Sequence, residues 1–205
     1  TISADIVLGD APRYYFNYFI DNGYIPGFGL YSSRMSYDLK DENSIIYQKQ
    51  TWYRNDIFIQ SVWQDRYAIG GGLSHDHFES QIPSSTESTK DQFLNPYIFI
   101  KSDTQDDRDF ATRGIYLYVE GKLIDVLDKQ VDNSIFQAKA NVNINIPVTS
   151  YYTNRLRMML GLSIGEQPSP FYEYKLGGIF GQNMGNLIPF NGYELGQEGG
   201  NNVFM

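Results

Sequence analysis

Residues 135–146 read IFQAKANVNINI. Phe136, Ala138, Ala140, Val142, Ile144 and Ile146 alternate without a break with Gln137, Lys139, Asn141, Asn143 and Asn145. Side chains of an extended chain point alternately to opposite faces, so this segment reads as a strand with one purely apolar face and one polar face. The pattern recurs nearby. In 155–163, Leu156, Met158, Leu160 and Leu162 fall on one face, and Arg155, Arg157, Met159, Gly161 and Ser163 on the other. In 115–120, Ile115, Leu117 and Val119 oppose Tyr116, Tyr118 and Glu120. Two architectures cover such a face. A soluble secreted β-sandwich, acting as a binding module, makes it the core, whereas an antiparallel transmembrane β-barrel turns it to lipid. Strand length favours the barrel. The runs 133–148 and 111–126 greatly exceed the usual strand of about 5 to 6 residues, and a tilted strand that crosses a bilayer and protrudes from it has that length.

The composition fits this reading. The 205 residues suit one domain, and 17 Tyr, 13 Phe and 19 Gly favour strands joined by turns. Tyr14, Tyr15, Tyr18, Tyr151, Tyr152, Phe171, Tyr172 and Tyr174 sit near strand ends, where a barrel carries its interfacial girdles. The formal charge is −8 and no basic run exists, so nucleic acid is not an expected partner. The absence of cysteine excludes disulfides, thiolate metal sites and cysteine nucleophiles. No apolar run is long enough for a transmembrane helix, but barrel strands need only about 9 to 11 residues. The start, TISADIV, has no signal-peptide pattern, so the chain is expected to begin after processing or in mid-protein.

Strand-like runs recur at 12–20, 27–37, 45–53, 57–65, 67–78, 94–102, 111–126, 133–148, 152–164 and 170–178, which predicts roughly ten or more strands. Turn signals separate them at Asp21-Asn22-Gly23, Asp38 to Ser44, Arg54-Asn55-Asp56, Pro83 to Gln92 and Asp128 to Asn133. Short links between neighbours predict antiparallel pairing.

One segment joins an acidic turn to a regular strand. Asp103-Thr104-Gln105-Asp106-Asp107, then Phe110-Ala111-Thr112-Arg113-Gly114, resembles the D-T-R-D … F-P-T-R-G hairpin of the bacterial surface antigen superfamily. That superfamily comprises outer-membrane barrels of protein insertases, of two-partner secretion translocators and of patatin-like phospholipases. A long loop over 179–199 is similar to the family's lumen-directed loop, with its tip at Pro189, Phe190, Asn191, Gly192 and Tyr193. Asn191 stands where the family carries an arginine, and Pro-Phe-x-Gly-Tyr looks more like the phospholipase-linked barrels. The resemblance implies that 1–205 is part of a bacterial outer-membrane barrel, with Lys139, Asn141, Asn143, Arg155 and Arg157 facing the lumen and outer-membrane lipids as partners. It implies an anchor for a patatin-like phospholipase-type protein or, alternatively, an insertase or translocator of proteins in a Gram-negative bacterium. Further strands follow this loop in the family, so the barrel is expected to be completed by residues outside 1–205 or by a second chain. The lumenal arginines are expected to pair with carboxylates.

Other motifs carry weaker chemistry. Gly161-Leu162-Ser163-Ile164-Gly165 matches the nucleophile elbow of serine hydrolases, which requires a sharp strand-to-helix turn. Here Ser163 ends a strand, and Glu166-Gln167-Pro168-Ser169-Pro170 opens no helix, so no catalytic residue is expected in this chain. His75 and His77 share a strand face without a third ligand. Asp103, Asp106 and Asp107 form a solvated turn rather than a calcium loop. Neither a metal nor a cofactor is expected. Gly70-Gly71-Gly72 predicts a bend or bulge.

Overall fold

In the computed structural model, residues 2–8, 12–21, 23, 26–40, 46–82, 88–107, 110–124, 135–165, 170–177, 186–188 and 198–205 are described. Nine strands follow one another as an antiparallel meander: β1 (Ile2–Val7), β2 (Arg13–Ile20), β3 (Gly27–Lys40), β4 (Ile46–Trp63), β5 (Tyr67–Gln81), β6 (Ser88–Asp103), β7 (Gly114–Ile124), β8 (Ile135–Pro147) and β9 (Thr153–Ile164). The chain then leaves the sheet through a 3-10 turn (Pro170–Tyr172) and a small sheet of β10 (Tyr174–Leu176), β11 (Leu187–Ile188) and β12 (Glu198–Gly200). It returns as β13 (Val203–Phe204), which pairs with β9 as the tenth strand of the main sheet.

The architecture is all-β with an antiparallel main sheet, as the alternation in 135–146 predicts, only β10 and β11 of the small sheet pairing in parallel among the described strands, and β8 keeps its register with both neighbours throughout. Gln137 and Asn145 are buried on the concave face, while Phe136 and Ile146 are exposed on the convex one. The concave face is the lumen side, because the turn at 170–172 packs there. The convex face carries Ile57, Ile59, Ile69, Ile98, Ile100, Val119, Leu156, Leu160 and Leu162, all exposed. A water-facing surface so apolar is abnormal, and a lipid-facing one requires it.

Several boundaries differ from the sequence expectation. Arg54-Asn55-Asp56 is no turn: it lies in the middle of β4, one strand spanning the two runs expected at 45–53 and 57–65. Strand β6 begins at Ser88, inside the expected loop Pro83 to Gln92, and β3 runs on through Asp38 to Lys40. The expected strand at 170–178 is mostly a 3-10 turn and the short β10, and β1 was not expected at all. The turn expected at Asp128 to Asn133 lies outside the described residues. Gly70-Gly71-Gly72 forms no bulge either, since β5 pairs without register shift on both sides. These glycines instead allow close approach: a Cβ on Gly70 would lie 2.6 Å from the Phe99 ring.

Candidate functional site

The lumenal face has three zones. At the end near the short turns it is aromatic, with Phe19 stacked on Phe58, and Phe99 on both Tyr97 and Tyr118. Above this lies a charged zone around a cavity of about 520 Å³. Arg54 donates from Nε to both oxygens of Asp56, at 2.9 Å each, and its Nη2 lies 2.7 Å from Oδ2. Its guanidinium also sits over the rings of Tyr31 and Tyr97. Lys139 Nζ lies 3.2 Å from Glu120 Oε1, and the Tyr118 hydroxyl donates to Oε2 of the same carboxylate at 2.6 Å. Buried charges hold such positions only when paired and hydrogen-bonded.

The third zone is where the loop docks. Asp76 of β5, fully buried, accepts from Trp52 Nε1 (3.0 Å), from Asn95 Nδ2 (2.7 Å) and from the Tyr172 hydroxyl (2.7 Å). Asn95 Nδ2 also donates to the Tyr172 oxygen at 2.6 Å, and Lys122 Nζ stands 3.9 Å from Asp76. Tyr172 belongs to the loop stem, whereas Trp52, Asp76, Asn95 and Lys122 belong to four neighbouring strands. One hydroxyl thus ties the loop to the wall. Around it, Phe78, Phe93, Ile124 and Ile135 close an apolar cluster against Tyr172 and Phe171. A second attachment lies one strand pair away. Gln137 Nε2 donates to the Tyr172 carbonyl, Asn186 Nδ2 donates to Gln137 Oε1, and the Tyr174 hydroxyl donates to the Ala138 carbonyl, each at 3.0 Å. The Tyr174 ring covers Gly161, whose missing side chain makes room for it. Ile188 is buried beside Tyr174 and Met159. The expected tip, Pro189 to Tyr193, lies outside the described residues; of the chain before it, 170–177 and 186–188 pack on the lumenal wall.

The residues named from sequence are placed as follows. Lys139 is in the charged zone and Asn141 lines the same cavity. Arg157 donates to Asn143 Oδ1 at 3.2 Å, and Arg155 to Asn145 Oδ1 at 2.9 Å and to the Ala111 carbonyl at 3.4 Å. Among the described residues the arginines therefore take amide and carbonyl oxygens rather than the expected carboxylates, because their cross-strand neighbours on β8 are asparagines. Ser163 stands in a straight strand with Gln137 as its side-chain donor. The two histidines lie on the opposite, convex face of β5, beside Gln92 and Glu79. Asp76 and Asn95 were missed by the sequence reading, Arg54 was expected in a turn, and Tyr172 and Tyr174, expected in an interfacial girdle, are instead buried against the inner wall because their hydroxyls find partners there. The available signal was a carboxylate at a lumen-parity position of β5, two residues before Phe78.

The hairpin of Asp103, Thr104, Asp106, Thr112, Arg113 and Gly114 is a built turn. Asp106 Oδ1 accepts from the backbone N–H of Thr112 and Arg113 at 2.9 and 3.1 Å, and Oδ2 from the Thr112 hydroxyl. The Thr112 hydroxyl, followed by the Arg113 and Thr112 amides, holds the Asp106 carboxyl down at about 2. Thr104 Oγ1 accepts from Ile115 N at 3.0 Å, and Asp103 pairs with Tyr116 as the last residue of β6. Gly114 has φ +103°, and a Cβ there would run into the Thr104 carbonyl, so glycine is required.

The family profile of the OMP85 superfamily matches residues 1–205. Among solved structures, the crystal structure of BamA from Haemophilus ducreyi lacking POTRA domains 1–3 is similar in fold, with a TM-score of 0.62 at 16% identity. The likeness covers 83% of this chain and 37% of that one, so the chain spans well under half of its structural neighbour. No curated protein matches the sequence.

Proposed function

The chain belongs to the OMP85 superfamily, and on that premise we propose that this stretch of bacterial outer-membrane barrel serves as the anchor of a patatin-like phospholipase-type protein, its lumen held shut by its own loop. The observation that carries the reading is the docking of Tyr172 onto Asp76 and Asn95 inside an apolar cluster. The Tyr172 hydroxyl makes one hydrogen bond to the buried Asp76 carboxylate, worth about 1.5 to 3 kcal/mol, and neutral hydrogen bonds through Gln137, Tyr174 and Asn186 add to it, so the stem is a fixed part of the wall. An anchor needs no more than this: lipids of the outer membrane on the convex face, a filled lumen, and catalytic chemistry in another domain. Among the described residues β1 and β13 each have one neighbour in the sheet. Their outer edges would leave unpaired backbone groups in hydrocarbon, each costing several kcal/mol, so further strands, from outside 1–205 or from a second chain, close the barrel.

A second reading, insertion or translocation of polypeptides, is favoured by the fold likeness to BamA. Conductance of the full protein in planar bilayers separates them. The anchor reading expects a closed barrel whose Asp76→Ala variant opens in bursts. Large spontaneous openings of the unaltered protein, enhanced by unfolded outer-membrane polypeptides, would favour the second reading and refute the first.

A further inference from the structure

The convex face changes character along one cross-strand row. Tyr14, Arg34, Tyr53, His77 and Gln92 are consecutive partners on β2 to β6. Four residues closer to the short turns, the same face presents Tyr18, Leu30, Ile57, Leu73 and Pro96. Beyond the row it presents Ser36, Thr51, Glu79 and Lys90. The row is thus the border between lipid-facing and water-facing wall. Its chemistry is specific. The Arg34 guanidinium lies 5.4 Å from the Tyr53 ring centroid, and the Tyr53 and His77 rings are 5.7 Å apart. Carboxylates beyond the border have cations of their own: Glu79 has Lys90 at 2.9 Å, with the His77 ring as a further hydrogen-bond neighbour at 3.3 Å, and Asp38 stands opposite Lys49 in the register. Among the described residues, Arg34 has aromatic neighbours and no carboxylate. Below it, Ser32 and Asn55 bind each other at 2.8 Å.

An arginine that has no acid among the described residues, at a membrane border and flanked by tyrosines, suits one occupant. Guanidinium matches phosphate with two parallel hydrogen bonds, tyrosine places its hydroxyl at headgroup level with its ring in the apolar layer, and the acyl chains continue onto the belt of Leu30, Ile57 and Leu73. We propose that the row Tyr14–Arg34–Tyr53–His77 seats the phosphate of an anionic lipid, with Arg34 as its counter-charge. Barrels place their longer loops outside the cell, and the longest connection, from β9 to β13, leaves the sheet at the row's end, so this lipid belongs to the outer leaflet.

The test is native mass spectrometry of the full protein released from nanodiscs with equal amounts of phosphatidylglycerol and phosphatidylcholine. The unaltered protein is expected to retain the anionic lipid with about fivefold preference, the effect of one arginine at an anionic surface. Arg34→Gln, checked by its heat-modifiable gel mobility, falls to parity. Arg34→Lys keeps at least half of the preference and covers the case in which the glutamine variant does not fold. Arg113→Gln, at the opposite end of the wall, leaves it intact. Equal retention of both lipids by the unaltered protein, or full preference in folded Arg34→Gln, would overturn the proposal.

Discussion

The two ends of the long strands obey opposite rules. Toward the short turns, β5 puts Ile69 and Leu73 on its convex face and Gly70, Gly72, Ser74 and Asp76 on its concave one. Toward the long loops, the same strand puts His75, His77 and Glu79 outside and the buried Phe78 inside. Strand β3 inverts likewise, from Phe28 and Leu30 outside to Met35, Tyr37 and Leu39 inside. A strand in water buries its apolar face against protein. One in a bilayer turns that face to hydrocarbon and hydrates or pairs the other. The border therefore marks where the solvent of the wall changes from lipid to water, and the loop stem docks where the inner face has turned apolar.

The largest expected effect lies in the upper inner core. Phe78→Ala removes a ring that contacts Trp52, Phe93, Phe171 and Tyr172, and should cost about 3 to 5 kcal/mol of unfolding free energy, transfer plus cavity. Ile59→Ala on the belt should cost only about 1.5 to 2 kcal/mol, because lipid refills the space and only the transfer contribution is lost. Reversible unfolding in urea with vesicles measures both, and equal costs would break the distinction. A charge probes it from outside. Ile59→Arg and Thr51→Arg lie on the same face of β4, eight positions apart. The first should cost about 2 to 4 kcal/mol and the second less than about 0.5 kcal/mol. Tyr172→Phe deletes the hydroxyl that Asp76 and Asn95 share, and should cost about 1 to 3 kcal/mol while increasing proteolysis between 165 and 202.

The smallest effect lies in the hairpin at the other end. The folded Asp106 carboxyl, at about 2, sits below its ordinary 3.8. Its contribution is fully present above pH 4 and is lost as pH falls toward 2. Asp106→Asn should flatten the stability of the hairpin across that window, measured by amide hydrogen exchange of Thr112 and Arg113. An unchanged profile would show that the carboxylate does not hold the turn.

The inversion also explains what the sequence made legible. Strand β8 lies wholly at belt height, so its alternation keeps one phase from Phe136 to Ile146 and reads without ambiguity. Strand β4 crosses the border. Its convex face runs Thr51, Tyr53, Asn55, Ile57, Ile59 and its concave face Trp52, Arg54, Asp56, Phe58, Gln60, so the polarity shifts phase at Arg54-Asn55-Asp56. A rule that expects one apolar face then sees two strands and a turn. The Tyr172 clamp was illegible for another reason: its partners are 77 and 96 residues away in sequence, and only the curl of the sheet brings them together. The hairpin at 103–114 is local, its ties spanning no more than 11 residues, and its motif was visible.

The inversion itself can be measured along one strand. The chain has no cysteine, so nitroxide labels at Ile69→Cys, Leu73→Cys, His77→Cys and Glu79→Cys, all on the convex face of β5, can be read one at a time in the full protein reconstituted in bilayers. Power saturation should show collisions with oxygen dominating at 69 and 73, and collisions with a water-soluble nickel chelate dominating at 77 and 79. The same ratio at all four positions, or the reverse order, would contradict a wall that passes from lipid into water between Leu73 and His77.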